Sequence, residues 1–336
     1  MSVESPDNGG EVTRGLEAPP KRDTPSRIAA RFTTLLVLAA GAGIVIYTAV
    51  TNQAANLTED VRPVNLELED TTVIDGFVTN VREDEGGPTP VVILHDVDVT
   101  GGLILDDLAH ALDDAHHGVR IDLPGFGYST RMPEQGHQHT VAGMAELVAT
   151  VLEERFDEPV AVIGVGLGGE VGAELALSYP ELIAGLVLVD VDFWGRERFP
   201  AGLESLPWVG KAATYTWETG GRFALSEWAP HCDEGGWCPS DADLAARSGI
   251  IEIENTTDSL HSFRRTHEAA LAPENLDQIS ASVAYVWSTR GGVSQDTIDR
   301  LTEEIPGLVV TESDSFQAVL DDPATVTRAL GELSEG

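Results

Sequence analysis

Residues 161–190 read AVIGVGLGGEVGAELALSYPELIAGLVLVD. With Val160 they divide into an apolar run, a glycine-rich turn, a helical stretch and a second apolar run. Apolar runs this short, without alternation, suit strands buried on both faces of a parallel sheet. Further runs lie at 91–95 (VVILH), 119–122 (VRID), 283–287 (VAYVW) and 308–311 (LVVT). Helical patterns fall at 103–115, 141–156, 171–179, 297–305 and 324–333. This alternation predicts an α/β fold, a three-layer sandwich around a mostly parallel sheet. The alternation stops between about residues 193 and 276. That stretch carries Trp194, Trp208, Trp217, Trp228 and Trp237 and both cysteines, and reads as helices and loops. No internal repeat is found.

Two motifs carry a resemblance. Asp122-Leu123-Pro124-Gly125-Phe126-Gly127-Tyr128-Ser129 resembles the D-L-P-G-x-G-x-S turn after the fourth strand of α/β-hydrolase-fold proteins. The 160–190 stretch resembles their nucleophile-elbow strand, the helix behind it and the next strand. His95-Asp96 stands where the family usually has His-Gly beside its oxyanion hole. The resemblance covers about residues 71–336. It implies a hydrolase-like core over 71–192 and 276–336, with a helical cap over 193–275, as in capped lipases, esterases and epoxide hydrolases.

The same resemblance implies a nucleophile on the elbow, an acid after a later strand and a histidine near the C-terminus. Here the elbow reads Gly164-Val165-Gly166-Leu167-Gly168, so the nucleophile position is Gly166. No Ser, Thr or Cys lies between residues 160 and 177, so shifting the alignment restores nothing. Ser315 takes the histidine position, and the last histidine of the chain is His267. The acid position aligns with Gly291, while Asp190, Asp296 and Asp314 are substitute acids within reach by sequence. Gly164 to Gly169 also fits G-x-G-x-x-G, with Asp190 about 20 residues on, as a dinucleotide site would. The upstream D-L-P-G-F-G-Y-S turn argues against that reading.

What the elbow keeps is a helix N-terminus. The Leu167 N–H, with His95 and Asp96 beside it, would face the pocket floor and attract an anion or a carbonyl oxygen. Gly166 leaves space where a side chain would stand. The expected occupant is a small, neutral, largely apolar ligand; the competing expectation is that cap side chains fill the space. No cofactor and no metal are called for. Cys232 and Cys238 enclose DEGGW and read as a local disulfide, with a metal site on His231, Cys232, Asp233 and Cys238 as the lesser reading.

The chain has 336 residues, with 20 Lys+Arg against 56 Asp+Glu, a formal net charge of −36. So negative a surface repels phosphates and excludes nucleic acid as a partner. Residues 32–50, FTTLLVLAAGAGIVIYTAV, carry no charge and are about long enough to cross a hydrocarbon core. Lys21, Arg22, Arg27 and Arg31 precede them, which puts the N-terminus in the cytoplasm and the main domain outside. The alternative is a cleaved secretory signal. Residues 1–31 read as a disordered, charge-balanced tail and 51–70 as a linker, so the whole −36 falls on the extracytoplasmic side. The expectation is a membrane-anchored, extracytoplasmic hydrolase-like protein without nucleophile or histidine, serving to bind a small ligand or to interact; its protein partner is not legible. The rival is an active hydrolase on esters, epoxides or lipids using displaced groups.

Overall fold

The computed structural model describes residues 25–61, 71–74, 76–132, 136–194, 207–219, 229, 231–267 and 275–333. The chain divides into two compact units, Met1–Ile46 and Tyr47–Gly336. The second holds an eight-stranded sheet: β1 (Thr71–Ile74), β2 (Phe77–Glu83), β3 (Thr89–Leu94), β4 (His116–Ile121), β5 (Val160–Val165), β6 (Ile183–Val189), β7 (Ser282–Ser288) and β8 (Val309–Ser313). Their order is β1-β2-β4-β3-β5-β6-β7-β8. β2 runs antiparallel to β1 and β4, and every other pair is parallel.

Strand β3 shows why the runs are continuously apolar. Val91 and Ile93 join one core with Ile163, Val187 and Val286; Val92 and Leu94 join another with Val162, Leu188 and Tyr285. Successive side chains point to opposite faces, and both faces are covered, so no position can be polar. The first core packs under α2 (Asp106–His110) and the helix at Pro323–Leu333, through Leu108, Val326 and Leu330. The second packs under α3 (Val141–Arg155) and α4 (Leu167–Ser178), and under the helix at Gln295–Glu304, through Val151, Leu175 and Leu301.

The expected strands and helices appear with shifted ends, with three exceptions. β1 and β2 have weak apolar alternation and were not legible. The helix expected over 103–115 is a 3-10 turn at Gly101–Leu105 followed by the short α2, because the chain must then turn at Asp113-Asp114 into β4. The third exception is N-terminal. Helix α1 runs Pro25–Thr58, so residues 25–31, expected to be disordered, and 51–58, expected to be linker, are helical. Its Leu36–Thr58 part is long and apolar enough to cross a membrane. The remaining linker residues are not free either. Glu59 is buried, accepts from the Thr257 N–H (3.0 Å) and meets the Thr257 hydroxyl. Val61 forms a parallel bridge with Ile253.

Between β6 and β7 lie α5 (Pro207–Thr219), α6 (Asp241–Ile251) and α7 (Thr256–His267). Trp228 and the other residues missing from this stretch lie outside the described residues. Helix α8 (Gln295–Glu304) lies between β7 and β8, and the short α9 (Ala318–Asp321) and α10 (Pro323–Leu333) follow β8. Cys232 and Cys238 are joined in a disulfide, Cα–Cα 4.9 Å. Among the described residues no cluster of three His, Cys, Asp or Glu could hold a metal.

Candidate functional site

The sheet reverses its winding at β3, which has β4 on one side and β5 on the other. Sites in open α/β sheets form at such a point, beyond the carboxyl ends of the strands. Here those ends are His95-Asp96 after β3 and Gly166 after β5, brought side by side by the Leu94–Gly164 register.

The elbow is sterically intact. Gly166 has φ +48° and ψ −113° and caps α4, with its carbonyl accepting from Gly169 (3.0 Å) and Glu170 (3.1 Å). A Cβ on Gly164 would stand 2.5 Å from the Gly168 carbonyl oxygen, and one on Gly168 would stand 2.3 Å from that of Leu94. The outer glycines of the motif are therefore required by close backbone approach. The middle one is different. A Cβ on Gly166 would stand 2.2 Å from both Cγ and Oδ1 of Asp96, a side chain. The half-exposed Asp96 carboxylate occupies the place where a nucleophile side chain would start. Its Oδ1 accepts the Leu167 N–H at 2.8 Å.

Two expectations about the pocket are thereby corrected. The Leu167 N–H does not await a ligand oxygen, because the chain's own carboxylate already takes it. Nor does His95 line a pocket. It is fully buried, its Nε2 accepts the Leu123 N–H (2.9 Å) and its Nδ1 donates to the Asp96 carbonyl (2.6 Å), so it is a neutral strut between two loops. Asp96 takes the space beside Gly166 that was expected for a ligand. Two cavities lined by described residues lie beside Leu103, Asp106 and Trp237 (about 340 Å³) and beside His116 and Arg328 (about 490 Å³).

The other positions aligned with the family's acid and histidine meet in a chain of hydroxyls. Asp190, at φ +52°, accepts from the Ser288 N–H (2.7 Å) and hydroxyl (2.5 Å). Ser288 Oγ also accepts the Ala318 N–H (2.7 Å) and a 3.3 Å hydrogen bond from Ser315. Ser313 Oγ lies 2.9 Å from both Ser315 Oγ and Asp322 Oδ2. Burial pushes the Asp190 carboxyl up to about 6, against the lowering effect of its Ser288 hydrogen bonds, and the Asp96 charge adds to the rise. A serine hydroxyl at position 315 cannot accept a proton at neutral pH as an imidazole does. Gly291 closes this corner: its N–H donates to the Ser288 carbonyl (2.9 Å), and a Cβ would stand 2.7 Å from the Phe316 carbonyl oxygen. Asp296, in the first turn of α8, and Asp314 are exposed and are not gathered with these groups. Of the substitute acids, the structure brings only Asp190 to the site.

The insertion is bolted down beside it. Arg247 (α6) pairs with Glu218 (α5) at 2.6 Å and with Asp98 at 3.3 Å, while Arg264 (α7) takes the other Glu218 oxygen at 2.9 Å. Asp98 is two residues beyond Asp96, so Arg247 ties the loop that carries this carboxylate to α6, and Glu218 joins Arg247 to Arg264 of α7. Arg131 extends from the D-L-P-G-F-G-Y-S turn to Thr256 (2.8 Å) while donating to the Gly127 and Ser129 carbonyls (2.6 and 2.9 Å). Its burial lowers it to about 10, so it stays charged at neutral pH. The turn itself is organised by Asp122, which accepts from the Gly102 (2.7 Å) and Tyr128 (2.8 Å) N–H groups and from Asn80 (2.8 Å). Thr256 as partner of Arg131, and Gly102 and Asn80 as partners of Asp122, were not legible, because each lies 20 or more residues away in the chain.

Fold and elbow define the α/β-hydrolase fold. Residues 96–215 match the family model described as alpha/beta hydrolase fold. A crystal structure of a hydrolase from Pseudomonas aeruginosa superposes with a TM-score of 0.62 at 20% identity, over 80% of this chain and 99% of that one. The likeness to that structure shows the fold, and the family match spans 120 of the 336 residues. Among curated relatives, a dihydrolipoyllysine-residue acetyltransferase component of the acetoin cleaving system of Cupriavidus necator is 34% identical over 119 residues. A pimeloyl-[acyl-carrier protein] methyl ester esterase of Aeromonas hydrophila is 32% identical over 112 residues. These matches take in 34% and 33% of this chain, and the chain spans only 30% and 41% of those relatives.

Proposed function

We propose that the protein is a non-catalytic member of the α/β-hydrolase-fold superfamily, an interaction module carried on the extracytoplasmic side of a membrane by α1. The observation that supports it is the Asp96 carboxylate standing in the vacated nucleophile position and holding the Leu167 N–H. An oxyanion hole works by preorganised donors that are free for developing charge. Here the available donor is already paired with a full negative charge, so a tetrahedral intermediate would have to displace it. The absent nucleophile and absent C-terminal histidine act in the same direction; in such units each loss typically lowers the rate by several orders of magnitude. The elbow accordingly turns over no ester and offers a small neutral ligand no room. The test is hydrolysis of short-chain p-nitrophenyl esters and styrene oxide by the purified full chain. The expected rate is that of buffer. Turnover abolished by Asp96→Asn would overturn the proposal.

One observation favours a second reading. A carboxylate in that place could itself attack an epoxide carbon, forming an ester to Asp96 while the ring C–O bond breaks and its oxygen takes a proton from water to become a hydroxyl. Release would need an activated water, and Asp190, raised to about 6, is the titratable group at hand. Intact mass after incubation with styrene oxide separates the readings: an adduct on the wild type that is missing from Asp96→Asn supports the second.

A further inference from the structure

The disulfide-closed turn of the insertion is fastened to the loop that carries Ser315. His231 stacks on the Phe316 ring, with centroids 3.6 Å apart, and the Arg290 guanidinium lies 3.7 Å from the same ring. The Trp237 N–H donates to Asp321 Oδ1 (2.6 Å), and Asp321 Oδ2 accepts from the Phe316 (3.0 Å) and Gln317 (3.2 Å) N–H groups. The two fastenings stand at either end of the Cys232–Cys238 turn. They hold residues 316–321, where the Ala318 N–H reaches Ser288 and so the hydroxyl chain of Asp190.

The cross-link is what keeps this turn in shape. Gly235 adopts φ +86° and Gly236 follows it, so the uncross-linked turn has ample backbone freedom. Closing a loop of this length lowers the population of opened conformers roughly 50-fold. The disulfide also faces solvent: Cys238 is exposed and, with Trp237, lines the cavity of about 340 Å³. Exposed disulfides are the ones that reductants reach. Asp106, Asp107 and Asp243 line that cavity too, with no Lys, Arg or His among its described residues. An incoming thiolate is repelled there unless it brings positive charge with it.

We propose that Cys232–Cys238 is a redox latch, opened by a dithiol presented on a positively charged surface, and that its opening frees 316–321 and loosens the hydroxyl chain. A thiolate of the dithiol attacks Cys238 Sγ; the S–S bond breaks, and the Cys232 sulfur leaves with the electron pair and takes a proton. The second thiol of the dithiol, once deprotonated, displaces the Cys238 sulfur, which takes the other proton. Two electrons thus pass to the cysteines, and the dithiol ends as its own disulfide.

The full chain in detergent is treated with dithiothreitol, reduction is checked by intact mass, and amide hydrogen exchange is followed. The Trp237, Phe316 and Gln317 amides should exchange faster, by up to roughly 50-fold, while α8 keeps its protection and reoxidation restores the slow rates. Three results overturn the latch and leave a structural staple: reduction that succeeds only in urea, exchange unchanged by reduction, or exchange that rises across the whole sheet. A second arm compares cysteamine, 2-mercaptoethanol and mercaptoacetate at equal thiolate concentration and low salt, each rate divided by that on hydroxyethyl disulfide. Cysteamine should be fastest and mercaptoacetate slowest, with the ratios converging in about 1 M salt. Equal ratios at low salt, or the reverse order, overturn the positively charged reductant.

Discussion

The exchange of side chains between positions 96 and 166 makes a quantitative prediction. Introducing Gly166→Ser places a Cβ 2.2 Å from Asp96 Cγ, where ordinary contact begins near 3.4 Å. Overpacking of this kind costs roughly 1–3 kcal/mol. Giving a non-glycine residue φ +48° adds about 1–3 kcal/mol. Together these amount to about 2–6 kcal/mol, against a total stability of about 5–15 kcal/mol. Asp96→Gly alone loses its hydrogen bond to the Leu167 N–H and costs about 1–3 kcal/mol. Combined, the two substitutions remove the clash, so the double variant should be more stable than the sum of the singles by about 1–3 kcal/mol. Urea denaturation of the four proteins of the cycle in detergent measures that coupling. Strict additivity would mean that Asp96 does not fill the nucleophile space, and the account of the site would fall. Esterase activity follows the same logic: Gly166→Ser with Ser315→His stays silent until Asp96→Gly is added.

Three further outcomes are expected. His139 and His261 are buried, and desolvation lowers each to about 4. Their stabilising contribution is complete above about pH 6.5 and is lost as pH falls toward 4; between pH 6.5 and 5.5 each loses about 1 kcal/mol. Asp190, raised to about 6, works oppositely and regains somewhat under 1 kcal/mol over that window. The melting temperature should therefore fall from pH 6.5 to 5.5, by less in His139→Gln; a flat profile refutes the neutral burial. Glu59→Ala should destabilise by about 1–2 kcal/mol through the lost cap on α7, and Glu59→Gln by less, since burial already raises the Glu59 carboxyl. Unchanged melting of both would mean that 59–61 are not docked. Glu218→Ala leaves two buried guanidinium groups short of their carboxylate and should cost about 3–5 kcal/mol in denaturant unfolding, with Arg247→Met added on top recovering part of it.

Legibility in the sequence followed the range of the interactions. The buried strands could be read because covering both faces forces an unbroken apolar run, a local signature. β1 and β2 could not, because an antiparallel edge pair needs little apolar alternation to form. The vacancy at Gly166 and the serine at 315 were legible because the elbow and the last loop are marked by their neighbours. The sense of Asp96 was not. In the chain it is an acid where a glycine is usual, 70 residues from Gly166. The two changes explain each other only once β3 and β5 are side by side.

By itself the sequence determined the expectation of an α/β-hydrolase-like fold, the membrane-length apolar run, the cysteine spacing and the glycine and serine at positions 166 and 315, because each is written in composition or in contiguous residues. The tertiary structure alone decided what surrounds positions 166 and 315. Strand pairing carries the Asp96 carboxylate onto the Leu167 N–H, and β6, β7 and β8 bring Asp190, Ser288 and Ser315 into one hydroxyl chain. It also decided that residues 47–61 belong to the folded domain, since Glu59 finds Thr257 across 198 positions of chain. Hydrogen bonds and steric exclusion act over a few ångströms, and only folding makes such residues neighbours.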